Sequence, residues 1–509
     1  MAKTGLLICS NLHGLFRSFP QIQRDIQNTL YVHFFLNPVQ DRNALRNKYT
    51  IINAYKHLNP LQIDVRVLLC GIKNNTNSAI VTKRPVDIIY YDDHIQTDQI
   101  ANLVSLLINK SPNFITIPIQ TTLNSNVSKF KEEICDTVDN NLYENVVMGG
   151  TFDRLHKGHK ILLSTAALKC TRKLTVGVTD TSMLQSKRLW ELIEPCDIRI
   201  KHVEGFLKDI DPSLEYNVLP IYDIYGPTIH DPKFQMIVVS QETSKGGDMI
   251  NNKRVDAGLQ PLDILPIPLL VEDKTLFNCC EEEENKISSS NYRMRLLGTL
   301  IRPPKLNNKS PYIIGLTGGI ASGKSSIANY LKDNGAFIIN ADTQAHNLYN
   351  INQPAYKPVI DAFGLEILNE NKEIDRKKLG AIVFSSKDEL KKLNNIMWPL
   401  ILEKINNVIQ STKNYDIFVI EAAVLLMANW QSHCHEIWVT IIPLDEAIAR
   451  LQTRNNLSRE EALKRINSQP SNSEYVARAN VLFSTLWSYN CTKIQLNKAW
   501  NNLINRLSN

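Results

Sequence analysis

Long apolar runs are missing from this 509-residue chain. No stretch approaches the ~20 apolar residues that a membrane-spanning helix needs, so no transmembrane helix is expected. Cysteine is sparse and unpatterned: nine residues, no C-x-x-C pair, no Cys/His cluster at zinc spacing, and only Cys279 and Cys280 adjacent. A structural zinc module and a disulfide scaffold are therefore disfavoured, and a reducing, intracellular setting is expected. Strong net charge is also lacking. With 57 Lys plus Arg against 51 Asp plus Glu the formal charge is +6, too small for this length to indicate nucleic acid as a partner, while phosphorylated small molecules suit it equally well. There is no internal repeat, and the one notable charge run, Glu281 to Glu284, reads as a solvated loop or helix end. Acidic residues are absent from Met1 to Arg24, which carries Lys3, Arg17 and Arg24. Two readings of that segment stay open: a mitochondrial targeting or tethering sequence, or simply the start of the first domain through Leu6, Leu7, Ile8, Leu12, Leu15 and Phe16.

Against these absences stands a length that suggests about three domains of roughly 100 to 200 residues each. Residues 1–140 alternate strand-like runs (Thr29 to Phe35, Asp64 to Leu69, Asp87 to Tyr91, Phe114 to Ile119) with helical stretches such as Thr97 to Ile108. This predicts a non-catalytic α/β region, with protein partners as one role for it. Thr121 to Asn141 is a polar separator, and Val146-Val147-Met148 reads as the buried strand opening a second domain over 145–302. Arg302 to Pro311 has linker composition, and Tyr312 opens a third domain over 312–509.

The second domain begins with Gly149-Gly150-Thr151-Phe152-Asp153, followed by His156, Gly158 and His159. Two glycines after a buried strand permit close approach of backbone to a nucleotide, and Thr151 adds a hydroxyl where α/β sheets bind ligands. His156 and His159 lie three apart, so a helix over Leu155 to Leu168 would put both imidazoles on one face with Gly158 leaving room between them. Attack on an α-phosphorus needs placed donors for growing negative charge rather than a covalent nucleophile, and this set supplies them. On spacing alone a structural pair of core histidines fits as well.

In the third domain, Gly318-Gly319-Ile320-Ala321-Ser322-Gly323-Lys324-Ser325, continued by Ser326, is a complete G-x-x-x-x-G-K-S loop between a strand and a helix through about Asn334. Its N–H groups and helix N-terminus would cradle ATP phosphates, Lys324 would neutralise β/γ charge, and Ser325 would ligate Mg²⁺. Ala336 to Asp342 reads as the next strand, carrying Asp342 to the sheet's carboxyl end, where it could accept a hydroxyl proton or merely cap a helix. Glu421, after the strand Ile417 to Ile420, offers a carboxylate for Mg²⁺. Ser458 to Glu461 forms a capping box before a helix holding Arg465.

The residues from Gly149 to His159 resemble the H-x-G-H signature of the nucleotidyltransferase superfamily. Ile287-Ser288-Ser289-Ser290-x-x-Arg293 resembles that superfamily's second signature, which implies that Ser288, Ser289, Ser290 and Arg293 bind ATP phosphates. Tyr225-Gly226-Pro227-Thr228, Val238 to Thr243 and Gly246-Gly247 narrow the resemblance to eukaryotic-type phosphopantetheine adenylyltransferase, which implies that Lys187 holds the attacking phosphate of 4′-phosphopantetheine. The third domain resembles dephospho-CoA kinase through Gly315 to Ser325, Asp342, Leu379-Gly380-x-x-Val383-Phe384 and Leu393-Asn394-x-Ile396. That resemblance implies a lid carrying Arg450, Arg454 and Arg465, and Asp342 as base. Two departures stand out: Trp398 where many relatives have His before Pro, and Glu421-Ala422-Ala423 in place of Asp-x-Pro. From about Asn145 onward the chain resembles the bifunctional coenzyme A synthase family. The implied fold is α/β, a Rossmann-like nucleotidyltransferase domain followed by a P-loop kinase domain with an additional N-terminal α/β region. The implied chemistry converts 4′-phosphopantetheine to dephospho-CoA and then to CoA, with two ATP and Mg²⁺, in the cytoplasm or associated with mitochondria. A guanine-nucleotide switch is disfavoured because no Asn-Lys-x-Asp motif follows Ser325. A nucleotide-binding scaffold with degenerate enzyme domains is the remaining alternative.

Overall fold

Strand-like runs separated by amphipathic helices build three five-stranded sheets, each parallel throughout the described residues. The computed structural model describes residues 3–9, 15–35, 48–73, 78–93, 95–119, 141–272, 280–304 and 311–508. All of the predicted separator at 121–141 but its last residue, and most of the linker at 302–311, lie outside them. By contacts the chain divides into two units, Met1–Phe277 with Glu284–Tyr292, and Asn278–Glu283 with Arg293–Asn509.

The first unit holds two sheets of the same strand order. Its first sheet is ordered β3-β2-β1-β4-β5, from β1 (Gly5–Cys9), β2 (Thr29–Phe34), β3 (Asp64–Val67), β4 (Val86–Asp92) and β5 (Lys110–Ile119), with helix α1 (Lys48–His57) preceding β3. Leu6, Leu7 and Ile8 are fully buried in its central strand, as a domain start requires. The second sheet is ordered β10-β9-β6-β7-β8, from β6 (Tyr143–Gly150), β7 (Cys170–Thr179), β8 (Glu215–Ile221), β9 (Met236–Ser240) and β10 (Asp263–Ile267). Helix α2 (Lys157–Lys169) joins β6 to β7, α3 (Cys196–Ile210) joins β7 to β8, and α4 (Ser289–Leu296) follows β10. One continuous apolar core runs from Leu7, Leu30 and Tyr55 of the N-terminal region to Leu163, Val176 and Phe206 of the second sheet.

In the second unit the order is β12-β13-β11-β14-β15, with β11 (Tyr312–Gly318), β12 (Phe337–Asn340), β13 (Ile417–Glu421), β14 (Glu436–Ile441) and β15 (Val481–Ser484). Helix α5 (Lys324–Asp333) follows the glycine loop, and α6 (Ala341–Leu348) follows β12. Next come α7 (Lys387–Ser411), which carries Pro399 inside it, then α8 (Leu444–Asn455) and α9 (Arg459–Asn467). In both the second and third sheets the first strand lies centrally and the order reverses beside it, which opens a crevice at the carboxyl ends of the strands. Both glycine motifs sit at such a point.

Two expected boundaries are corrected. Helix α2 starts at Lys157 rather than Leu155, since His156 is extended and caps it. Strand β12 ends at Asn340, whose side chain caps α6, so Asp342 sits in the first helical turn rather than on the strand. The cysteine expectation is corrected too: Cys280 and Cys491 form a disulfide within the second unit. No described helix is long and apolar enough to cross a membrane.

Candidate active sites

At the end of β6 the backbone turns sharply, with Phe152 and Arg154 both at positive φ, 51° and 50°. Such strain concentrates where a loop must present side chains in fixed directions. A Cβ on Gly150 would stand 3.0 Å from the Phe152 ring, and one on Gly158 would stand 3.1 Å from the His156 ring, so a side chain at either position would press on the ring beside it. Gly149 is not crowded in this way, its nearest neighbour being 3.6 Å from a Cβ. His156 accepts the His159 N–H at its Nδ1, and the two imidazoles stack with centroids 3.7 Å apart. The pair therefore comes together through a cap and a stack rather than along one helical face. Ser289 lies 3.3 Å from the other His156 nitrogen and donates to the Asp153 carbonyl at 3.0 Å, so the serine run and the glycine–histidine loop converge. Ser288 accepts the Asn291 N–H and caps α4, on which Ser289, Ser290 and Arg293 lie, Arg293 buried. Thr151 and Thr179, at the ends of adjacent strands, join hydroxyls at 3.1 Å. Lys187 is half-buried in the loop beyond β7, its backbone N–H donating to the Leu184 carbonyl at 2.9 Å.

Arg199 was not singled out from the sequence. It is fully buried and donates to the carbonyls of Thr151 and Thr179 at 2.7 and 2.8 Å, fixing the ends of β6 and β7 beneath the site. A lone arginine on a helix gives no local signal of such a role. The N-terminal region also grips α2. Lys157 Nζ donates to the carbonyls of Asn59 and Leu61 at 2.6 and 2.9 Å, just beyond the C-terminus of α1, where a cation is favoured by the helix dipole. Lys160 pairs with Asp64 and donates to the Val65 carbonyl at 3.0 Å. Replacing Lys157 by Met keeps the stem and strands those carbonyls. We expect stability of the first unit to fall by about 2 kcal/mol, seen as a lower thermal midpoint; an unchanged midpoint would remove the grip from the account.

In the second unit the glycine loop is shaped by contacts that admit no side chain. A Cβ on Gly318, at φ 145°, would lie 2.1 Å from the Thr440 carbonyl oxygen, and Gly323 adopts φ 87°. Gly319 faces open space, Ala321 is itself at φ 60°, and the Ser322 carbonyl accepts from Thr440 and Thr485. The Ile320 N–H donates to the Gln469 side chain at 2.7 Å. Lys324 folds back to donate to the carbonyls of Gly318 and Gly319, both at 3.0 Å. Burial pulls its ammonium down to about 8, against the opposing pull of Glu421 and Asp342. Ser325, followed by Ser326 on α5, donates to Glu421 at 2.8 Å, while Asn340 donates to the other oxygen of the same carboxylate at 2.9 Å. Ser325 hydroxyl and Glu421 carboxylate are hard oxygen donors held together, a set that suits Mg²⁺.

The three arginines expected in a lid, Arg450, Arg454 and Arg465, do not form one set. Arg450 is tied to the loop, donating to Ala321, Thr485 and Glu446. Arg454 is exposed at the end of α8 but close enough to Lys324 to oppose its charge. Arg465 is exposed in the last turn of α9, whose Ser458–Glu461 capping box forms as expected.

Comparison with known proteins now bears on both sites. Residues 312–486 match a family model described as dephospho-CoA kinase, and residues 147–295 match one described as cytidylyltransferase-like. Over 186 residues the chain is 42% identical to the dephospho-CoA kinase of Carboxydothermus hydrogenoformans, covering 36% of this chain and 90% of that protein. Over 139 residues it is 40% identical to the phosphopantetheine adenylyltransferase of Saccharomyces cerevisiae, covering 27% of this chain and 46% of that protein. A solved dephospho-CoA kinase from Campylobacter jejuni is 28% identical, with a TM-score of 0.31, over 38% of this chain and 96% of that one.

Proposed function

The chain belongs to the dephospho-CoA kinase family, and from that premise we infer a bifunctional enzyme of the last two steps of coenzyme A biosynthesis. The observation that supports the inference is two glycine-rich loops of different design on separate sheets, each at the point where strand order reverses. We retain the division into a non-catalytic region over 1–140, an adenylyltransferase domain over 145–302 and a kinase domain over 312–509.

In the first step the 4′-phosphate of phosphopantetheine attacks the α-phosphorus of ATP, the bond to the β-phosphate oxygen breaks, and pyrophosphate leaves with dephospho-CoA as product. Thr151, His156 and His159 supply donors to the α-phosphate, and Ser288, Ser289, Ser290 and Arg293 hold the β- and γ-phosphates. Lys187 holds the attacking phosphate. In the second step the ribose 3′-hydroxyl attacks the γ-phosphorus, Asp342 takes its proton, and ADP leaves with CoA as product. The loop from Gly318 to Ser326 cradles the phosphates, and Arg450, Arg454 and Arg465 close over the nucleotide to exclude water. Ser325 and Glu421 would hold Mg²⁺, which when bound neutralises phosphate charge.

Isotope placement tests the reading. Label in the α-phosphate of ATP should enter dephospho-CoA and stay in CoA, and label in the γ-phosphate should leave in pyrophosphate at the first step and enter CoA only in its 3′-phosphate; γ label in dephospho-CoA would contradict it. Replacing Asp342 by Asn should slow the second step by about 10²–10⁴-fold with little change in ATP affinity, and an equal loss in both parameters would deny it the role of base. Above pH 8 free Lys324 loses its proton and with it the attraction to phosphate, so ATP should bind the kinase site more weakly as pH rises beyond that point. Binding there should also take up a proton, which calorimetry in buffers of different ionisation enthalpy will detect.

The acid-free basic run Met1 to Arg24 is what supports adding mitochondrial association to a cytoplasmic enzyme. Protein partners for residues 1–140 belong to the same proposal. A pull-down that keeps its partners after deletion of those residues would end it.

A further inference from the structure

Among the described residues, Cys280, Glu282 and Cys491 of the second unit gather two sulfurs and a carboxylate oxygen within 4.8 Å of one another. Both cysteines are buried and Glu282 is half-buried. Neither reaction uses them. Cys491 stands in the first turn of helix α10 (Tyr489–Ser508), where its N–H donates to the Ser488 hydroxyl at 3.3 Å. The Ser488 N–H in turn donates to the Glu282 carboxylate at 3.2 Å, so one turn of chain holds both the carboxylate and the second sulfur. The segment carrying Cys280 is equally fixed. Glu283 accepts from Arg295 at 2.6 and 2.9 Å, and Lys498 of α10 donates to the Arg295 carbonyl at 2.7 Å.

The two sulfurs are joined as a disulfide. A disulfide gains nothing from a carboxylate beside it, whereas two thiolates and a carboxylate make a three-ligand set. Thiolate sulfur selects zinc over magnesium or calcium, which take oxygen ligands. Two equivalents of a thiol reductant open the bond and leave as their own disulfide, and the two cysteine thiols release their protons as the ion binds. Thiolate sulfurs on a tetrahedral zinc ion stand about 3.8 Å apart. With the Cα atoms 5.2 Å apart, side-chain rotation alone supplies that spacing.

We propose that Cys280, Cys491 and Glu282 form a zinc site in the reduced chain, with water in the fourth position. The disulfide and the metal ion are then alternative ties between the same two segments, and either one fixes the start of α10. That helix reaches the glycine loop of the second unit. Gln495 bonds both the N–H and the carbonyl of Ser484, at 2.9 and 3.1 Å, and the adjacent Thr485 donates to the Ser322 carbonyl at 2.9 Å.

Metal titration of the full chain tests this, after reduction with a phosphine, which brings no thiolate of its own, and removal of bound metal. Cobalt serves as the spectroscopic probe and zinc as its competitor. We expect reduced wild type to show strong near-ultraviolet sulfur-to-cobalt absorption that zinc abolishes, and oxidised wild type to lack it. Cys280→Ser and Cys491→Ser should each weaken zinc binding about 100-fold or more, and Glu282→Gln about tenfold with the absorption retained. No such absorption in reduced wild type, or equal absorption and zinc affinity in wild type and both serine variants, would overturn the proposal. Wild-type zinc affinity in Glu282→Gln, which keeps both sulfurs and the side-chain shape, would overturn it as well. Thermal unfolding of each variant separates lost binding from lost folding, and Glu282→Gln decides the matter if the serine variants are destabilised.

Discussion

Lys324→Ala should stop the chain at dephospho-CoA, with the second step slowed by about 10²–10³-fold or more and the first step untouched. The lysine is half-buried, pulled down by that burial and held among the described residues by two loop carbonyls at 3.0 Å, Glu421 and Asp342 being the charges that favour its ammonium. Those carbonyl contacts are weak competitors for a triphosphate, so the ammonium is free to turn toward β- and γ-oxygens when ATP enters. Loss of this one cation leaves the backbone N–H groups of the glycine loop in place, so residual ATP binding should survive better than turnover. Arg in place of Lys should not rescue the rate, because a planar guanidinium fork does not reproduce the compact point charge that Lys324 brings to the Gly318 and Gly319 carbonyls.

His159→Ala should act on the other step: adenylyl transfer should fall by about 10²–10³-fold, while added dephospho-CoA is still phosphorylated at the wild-type rate. The stacked pair explains the size of the effect. His156 is fixed by the His159 N–H, by Ser289 and by its place as the α2 cap, and His159 is fixed by the ring of His156 at 3.7 Å. Removing either imidazole therefore loosens the other, and a pair of single variants should each cost nearly as much as the double. A loss confined to KM with kcat intact would make the histidines ground-state binders instead.

Much of this was legible in the sequence because it is local. A glycine loop between a strand and a helix announces itself in a few consecutive residues, and Gly318 and Gly323 do adopt backbone forms that other residues resist. The capping box from Ser458 to Glu461 is equally local and forms as read. What was not legible depends on contacts across long stretches of chain. Lys157 and Asn59 are 98 residues apart, and nothing near either one marks the other as its partner. Arg199 looks like any helical arginine until the fold brings the ends of β6 and β7 over it. Cys280 and Cys491 are separated by 211 residues, and scattered cysteines do not reveal which pair will meet. The helix starts were misplaced for a different reason: His156 and Asn340 are caps, and a cap competes with the helix for one residue at its edge.

The most direct measurement follows purified full-length protein with 4′-phosphopantetheine and Mg-ATP by mass spectrometry over time. The account predicts that dephospho-CoA rises and then falls as CoA accumulates, with one pyrophosphate and one ADP formed for each CoA. A protein that binds ATP yet leaves 4′-phosphopantetheine and added dephospho-CoA unchanged would contradict it and leave the scaffold reading in its place.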